Sequence, residues 1–299
     1  MNPDPIQNNF QAKKSLGQNF LHAPHIVGKM IHEARVTKDS TVLEVGPGKG
    51  VLTRGLLDTG AKVIAVEKDD RAIIFLQEKF AADIATGQLE IIHQDILEFD
   101  PANSSKGKLV CGEYVIAANI PYYITGEFLR KFLEVPCAPA RMVLMLQKEV
   151  AKRIAGTSGE NTSVRSKNPK NQKESILSVS VKAYGKPKYI TTVPARHFRP
   201  VPKVDSALIL IDEISKEFFN TIPALAENDF FMVVKTGFAH KRKVVIKNLE
   251  QLLPKEVLTQ KWQEMGLSPT LRAENLTLDQ WKQLASLFSI VFHSKKPKN

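Results

Sequence analysis

The sequence predicts an α/β protein, a mostly parallel sheet with helices on both faces, followed by a small all-helical domain. Three observations predict it. Strand and helix patterns alternate from about residue 41 to 155, a Gly-x-Gly-x-Gly turn (Gly46 to Gly50) joins the first such strand to its helix, and beyond Ile214 the apolar spacing is helical throughout. Strands separated by helical stretches build βαβ units. At roughly 100–200 residues per domain, a chain of 299 residues holds two, and we divide it into 1–214 and 215–299.

Each element has its own signal. Ile26, Val27, Met30 and Ile31 fall at helical spacing. Thr41–Val45 is β-branched and apolar, the glycine turn follows, and Val51–Leu57 is helical again. Then come a strand over Lys62–Val66, a helix over Arg71–Ala82, strands over Leu89–Ile92 and Tyr114–Ala118, a helix over Phe128–Leu133, a strand over Met142–Leu146 and a helix over Lys148–Ala155. Gly156–Glu174, rich in Ser, Asn, Gly and Lys, reads as a loop. Ile176–Ala183 and Ala207–Ile211 read as two further strands, joined by a long Pro- and Arg-containing connection rather than a helix. Helices are expected over Asp229–Phe238, Val244–Leu253, Lys255–Met265 and Leu278–Phe288, the last behind a Thr277–Gln280 capping-box spacing.

Composition narrows the function. An apolar share of 43% and a charged share of 24% are ordinary for a soluble globular protein, and no run approaches the ~18–20 apolar residues of a membrane helix. The start, MNPDPIQNNFQAKK, lacks the pattern of a secretory signal. Cys111 and Cys137 are expected as separate buried thiols in a reducing cytoplasm, building neither a disulfide framework nor a zinc site. The seven histidines show no ligand cluster, and no metal is expected. Forty-two Lys and Arg against 31 Asp and Glu leave a net charge of +11. The excess is clustered: Lys186, Lys188, Arg196, Arg199 and Lys203 form one acid-free run, Lys235, Lys241, Arg242, Lys243 and Lys247 another, and the tail adds three lysines. Such clusters attract polyanions, chiefly nucleic acid.

A glycine turn between strand and helix lets a ligand lie against bare backbone at the carboxyl edge of a sheet. Glu67 ends the second strand, 21 residues after Gly46, where a carboxylate can accept both hydrogen bonds of a ribose diol. Asp95, just past the third strand, suits an adenine amino group. NAD, FAD and S-adenosylmethionine remain open at this point, although the turn lacks the GxGxxG spacing of dinucleotide binders.

Asn119-Ile120-Pro121-Tyr122 follows the fourth strand at the same edge. Methylating an exocyclic amine requires activating a nitrogen whose lone pair is delocalised into the ring. An Asn side-chain oxygen and a backbone carbonyl, both accepting from the NH2, draw that nitrogen toward tetrahedral geometry and aim its lone pair. Pro121 fixes the turn, and Tyr122 offers a face for a base taken out of its stack. Positioning and oriented dipoles carry such catalysis without a strong base.

These motifs, with Lys14-Ser-Leu-Gly-Gln-Asn-Phe-Leu21, Glu44-Val-Gly-Pro-Gly-Lys-Gly-Val-Leu-Thr53, Gln147-Lys-Glu-Val150, Pro200-Val-Pro-Lys-Val-Asp-Ser-Ala207 and Phe238-Ala-His-Lys-Arg-Lys243, give a chain that resembles the ribosomal RNA adenine N6,N6-dimethyltransferase family in its bacterial small-subunit branch. The resemblance implies a Rossmann-like S-adenosylmethionine-dependent methyltransferase sheet with a small helical C-terminal domain. It implies that Asn19 and Leu21 close over the cofactor, Gly46 lines its methionine end, Glu67 holds the ribose and Asp95 the adenine amino group, with Asn119 also beside the cofactor. Asn119, Pro121, Tyr122 and Phe198 then hold the target base, and Lys203, Lys241, Arg242 and Lys243 grip rRNA phosphates. The implied substrates are two adjacent adenosines near the 3′ end of 16S rRNA in the small ribosomal subunit, each receiving two methyls from a monomeric enzyme. Two departures stand out: the long 156–174 loop, and Gly126-Glu127 where the family usually has Ser-Pro. Competing readings are a 23S rRNA methyltransferase of the macrolide-resistance type and a non-catalytic ribosome-assembly factor on the same fold.

Overall fold

The computed structural model describes residues 11–103, 109–155, 173–220, 225–240 and 242–293. A short strand, β1 (Phe20–Leu21), and helix α1 (Pro24–Ala34) precede strands β2 (Thr41–Val45), β3 (Lys62–Glu67), β4 (Leu89–His93), β5 (Val115–Asn119) and β6 (Arg141–Gln147). Helices α2 (Val51–Leu57), α3 (Asp70–Lys79), α4 (Ala81–Ala85) and α5 (Thr125–Glu134) lie between them, and α6 (Lys148–Ala155) follows. After helix α7 (Ile176–Tyr184) come β7 (Lys186–Val193), β8 (Phe198–Arg199) and β9 (Ser206–Asp212). Among the described residues, packing groups those up to 155 with Lys186–Ile214 as one unit, and 173–185 with those from Ser215 onward as the other. The expected division is a single boundary at residue 214, whereas the described residues 173–185 group with the second unit.

In the first unit the order across the sheet is β4-β3-β2-β5-β6-β9-β7, parallel from β4 to β6, with β9 antiparallel to both of its neighbours. Parallel strands are covered on both faces and therefore read as continuous apolar runs. Met142–Leu146 in β6 and Val63–Val66 in β3 are buried without alternation. From β2 the chain builds outward through β3 to β4, then restarts with β5 on the other side of β2. At such a reversal the connections leave in opposite directions and open a crevice at the carboxyl ends of the strands.

Two expectations are corrected here. Ile176–Ala183 is helix α7, not a strand. Its period-two pattern is deceptive because Ser178 is itself buried, its hydroxyl bonded to Glu174 and to the Ser175 carbonyl, while Ser175 caps the helix in a reciprocal pair with Ser178. The strand lies just beyond, in the β-branched stretch Tyr189–Val193 of β7. Pro187 is tolerated there because β7 pairs only with β9 and forms the edge of the sheet.

Cys111 and Cys137, expected as thiols, form a disulfide with their Cα atoms 4.5 Å apart. They are 26 residues apart in sequence, but β5 and β6 are parallel neighbours, so the turns leading into them meet at the amino edge. Gly112 N–H donates to the Ala138 carbonyl (2.8 Å), Ala140 N–H to that of Tyr114 (2.9 Å), and the Tyr114 hydroxyl to that of Cys137 (2.9 Å). The crevice is at the opposite, carboxyl edge.

The second unit adds to α7 the helices α8 (Glu217–Asn220), α9 (Glu227–Gly237), α10 (Val245–Leu249), α11 (Lys255–Glu264) and α12 (Leu278–His293). Its core gathers Tyr184, Phe219 and Phe230 and buries Trp281 against Gly237, where a Cβ would come within 2.4 Å of the indole. Thr277 and Gln280 form a reciprocal capping box at the start of α12. No helix among the described residues is long and apolar enough to cross a membrane.

Candidate active site

The crevice is a cavity of about 370 Å³ lined by residues from the carboxyl ends of β2, β3, β4 and β5 and from the N-terminal segment. Asn19, Gly46, Glu67, Asp95, Asn119, Pro121, Tyr122 and Phe198 all line it, although they span nearly 180 residues of sequence. Leu21 does not. It pairs with Phe198 across β1 and β8 and faces a neighbouring hollow of about 40 Å³ that it shares with Glu44, Met30 and Asn119. Lys203, Arg242 and Lys243 are exposed, and Lys241 and residues 156–172 lie outside the described residues.

Gly46 and Gly48 adopt positive φ angles of 63° and 56°, a conformation that disfavours side chains. A Cβ on Gly46 would meet nothing within 4 Å, so the backbone there is open to a ligand. One on Gly48 would stand 2.8 Å from the Phe20 ring, which packs the N-terminal segment directly over the turn.

Glu67 is buried at the end of β3. Its Oε1 accepts from the amides of Lys68 (2.8 Å) and Asp69 (2.9 Å), and its Oε2 from Gly48 (3.2 Å). Burial raises its pKa and those three amides oppose the rise. The carboxylate is thereby held rigidly, with acceptor capacity left for a diol. Asp95 accepts from the Leu97 amide (3.0 Å) and from Lys68 Nζ (2.6 Å) at the rim of the cavity. Burial pushes its pKa up, but Lys68 and the Leu97 amide outweigh it and leave the group below its usual value.

Asp69 ties the covering segment down. Its Oδ2 accepts from Gln18 Nε2 (2.9 Å) and Arg71 Nη2 (2.6 Å), and Arg71 Nη1 reaches the Gln11 carbonyl (3.1 Å). The Arg71 guanidinium holds the Asp69 carboxyl at about 2, against the effect of burial and helped by Gln18. On the opposite wall, Asn119 Nδ2 donates to the Asn19 carbonyl at 2.9 Å, which leaves Oδ1 as the free acceptor of that amide. Tyr122 is half-buried, with its hydroxyl 2.8 Å from Ser206 Oγ, and burial raises its pKa.

Glu44 lies beneath the glycine turn, almost wholly buried. Its Oε2 has no hydrogen-bond partner among the described residues. Burial pushes its pKa up to about 8, with the Glu67 charge adding and Thr53 opposing. Gln18, Lys68, Asp69, Ser206 and Glu44 were given no role from sequence. Gln18, Glu44 and Ser206 sit inside the quoted runs and Lys68 and Asp69 directly follow Glu67, so the signal for all five is motif membership without a partner. Glu127, at one of the two departures, lines the cavity.

The sequence matches the family described as ribosomal RNA adenine dimethylase over residues 9–289. The chain belongs to that family. It is 36% identical over 284 residues to ribosomal RNA small subunit methyltransferase A of Dehalococcoides mccartyi, covering 93% of this chain and 89% of that protein. To the protein of the same name from Bacillus pumilus it is 33% identical over 287 residues, covering 93% and 91%. The dimethylase fold also appears in solved structures: the 23S rRNA methyltransferase ErmE (TM-score 0.68, 24% identity, 90% of this chain and 99% of that one) and a dimethyladenosine transferase from Plasmodium falciparum (TM-score 0.67, 24% identity, 89% and 95%). Both likenesses show that this chain has the Rossmann-like fold.

Proposed function

We propose that this dimethylase transfers methyl groups from S-adenosylmethionine to N6 of two adjacent adenosines near the 3′ end of 16S rRNA, in the cytoplasmic small ribosomal subunit, giving N6,N6-dimethyladenosine. The observation that carries the reading is the Asn119 amide. Its nitrogen end is engaged by Asn19, and its oxygen end is available in the same cavity as Glu67 and the open backbone of Gly46.

The cavity fits the cofactor chemically. Glu67 suits the ribose diol, Asp95 the adenine amino group and Gly46 the methionine end, while Asn19 covers the site. When bound, S-adenosylmethionine supplies an electrophilic methyl on a sulfonium. The protein supplies orientation. Asn119 Oδ1 accepts from the target amine, and a main-chain carbonyl of the Ile120–Pro121 turn, which lines the same cavity, is the second acceptor. Tyr122 and Phe198 supply faces for the base. Exposed Lys203, Arg242 and Lys243 suit rRNA phosphates.

A 23S rRNA substrate is the second reading, favoured only by likeness of fold to ErmE at 24% identity. The relatives at 36% and 33% are named for the small subunit, and the intact Asn119–Tyr122 turn speaks against a non-catalytic factor. Radiolabelled S-adenosylmethionine with unmodified small subunits should label 16S rRNA, and with large subunits should label nothing. Labelling of large subunits alone, or of neither by folded protein, overturns the proposal.

A further inference from the structure

The Pro200–Ala207 run carries much of the family resemblance, yet the function assigned above uses only Lys203. Ser206 is fully buried at the start of β9, between β6 (opposite Gln147) and β7 (opposite Val193). Its Oγ lies 2.8 Å from the Tyr122 hydroxyl. One residue earlier, Asp205 Oδ1 accepts from the Ala195 amide (3.0 Å), and the Asp205 carbonyl accepts from the Lys148 amide (3.0 Å). Ala195 opens the short turn Ala195–His197 that ends at Phe198, whose ring is buried. Two consecutive residues therefore hold the two aromatic faces assigned to the target base, Ser206 through the phenol of Tyr122 and Asp205 through the turn that delivers Phe198.

We propose that Asp205 and Ser206 are positioning residues that fix the adenine slot, and that the rigidity they confer serves the second methyl transfer more than the first. This rests on the function proposed above. The unmodified N6 amine has two N–H bonds, one for Asn119 Oδ1 and one for the turn carbonyl. In each transfer the N6 lone pair forms the new N–C bond as the C–S bond breaks, the sulfur departs as a neutral thioether, and the nitrogen releases one proton to water. After the first transfer N6 keeps a single N–H. The monomethylated base has one directional hydrogen bond fewer, so its alignment with the methyl group depends more heavily on the two ring faces. Small misplacements of reacting atoms are costly in rate. A Tyr122 ring free to tilt therefore harms the second step most.

The test is nucleoside mass spectrometry on time courses of small-subunit methylation, yielding separate rates for the first and second methyl. With Ser206→Ala, the first step should slow about twofold and the second about tenfold, the scale of one lost hydrogen bond, so that monomethyladenosine accumulates. Tyr122→Phe removes the same bond without touching β9, and keeps the proposal testable if Ser206→Ala fails to fold. It should give the same product shift, and the double variant should be no worse than either single one. Asp205→Asn, which retains an acceptor for Ala195 N–H, should keep the dimethyl product, whereas Asp205→Ala should accumulate the monomethyl product. Equal slowing of both steps, or an unchanged product ratio, overturns the inference. Failure of the unaltered protein to methylate small subunits would instead overturn the function on which it rests.

Discussion

Asn119 Nδ2 donates to the main-chain carbonyl of Asn19, 2.9 Å away, and this bond settles which end of the Asn119 amide is available to the cavity. A carbonyl only accepts, so the nitrogen must face Asn19 and the oxygen is left for a donor. The acceptor that the proposed function gives to the substrate amine is thus oriented by a residue 100 positions earlier in the chain. Asn119→Ala removes that acceptor. It should lower the rate of methylation at least 100-fold, the scale of losing one preorganised transition-state contact, while rRNA binding in a filter assay is retained. Unchanged turnover would show that the amide is not the amine's partner.

The Asp69 cluster holds the N-terminal segment over the cavity through Gln18 and Arg71. Asp69→Ala should weaken S-adenosylmethionine binding about tenfold, or about 1.4 kcal/mol, as measured by calorimetric titration. An unaltered dissociation constant would mean that the segment closes without this tie.

Glu44 gives a pH dependence of definite sign. Its folded pKa, about 8, lies above its ordinary value of 4.5. Between these values the folded protein holds a proton that the unfolded chain releases, so the contribution of Glu44 is fully present below about pH 4 and is lost as pH rises through about 8. Urea unfolding should show stability falling from pH 5 to pH 8, and Glu44→Gln should flatten that slope. A variant with the same slope as the unaltered protein would remove Glu44 as its source.

Lys203, Arg242 and Lys243 are exposed cations in the two acid-free runs. If each neutralises one phosphate, changing it to Ala lowers the slope of log affinity against log salt by about one. Binding of small-subunit rRNA measured across a salt series reads this directly. A slope unmoved by all three substitutions would make these residues bystanders.

The βαβ rhythm, the glycine turn and the Glu67, Asp95 and Asn119 positions were legible in the sequence because each follows from local periodicity and from a place at the end of a strand. Ile176–Ala183 was misread for the converse reason. Its alternation is a local signal, but Ser178 is satisfied by Glu174 and the Ser175 carbonyl inside a helix, and no one-dimensional pattern shows that a polar residue is buried and bonded. The disulfide was missed likewise: 26 residues apart, Cys111 and Cys137 meet only because β5 and β6 are adjacent.

By itself the sequence determined the class of fold, the family and eight of the residues that line the cavity, since hydrophobic periodicity and short motifs are properties of neighbours along the chain. Tertiary structure alone decided which atoms face which: the Asn119 amide against Asn19, Gln18 against Asp69, the Tyr122 phenol against Ser206, and Glu44 buried beneath the glycine turn. The first three are distances between residues 51 to 100 positions apart, and only strand order and register bring them within hydrogen-bonding reach.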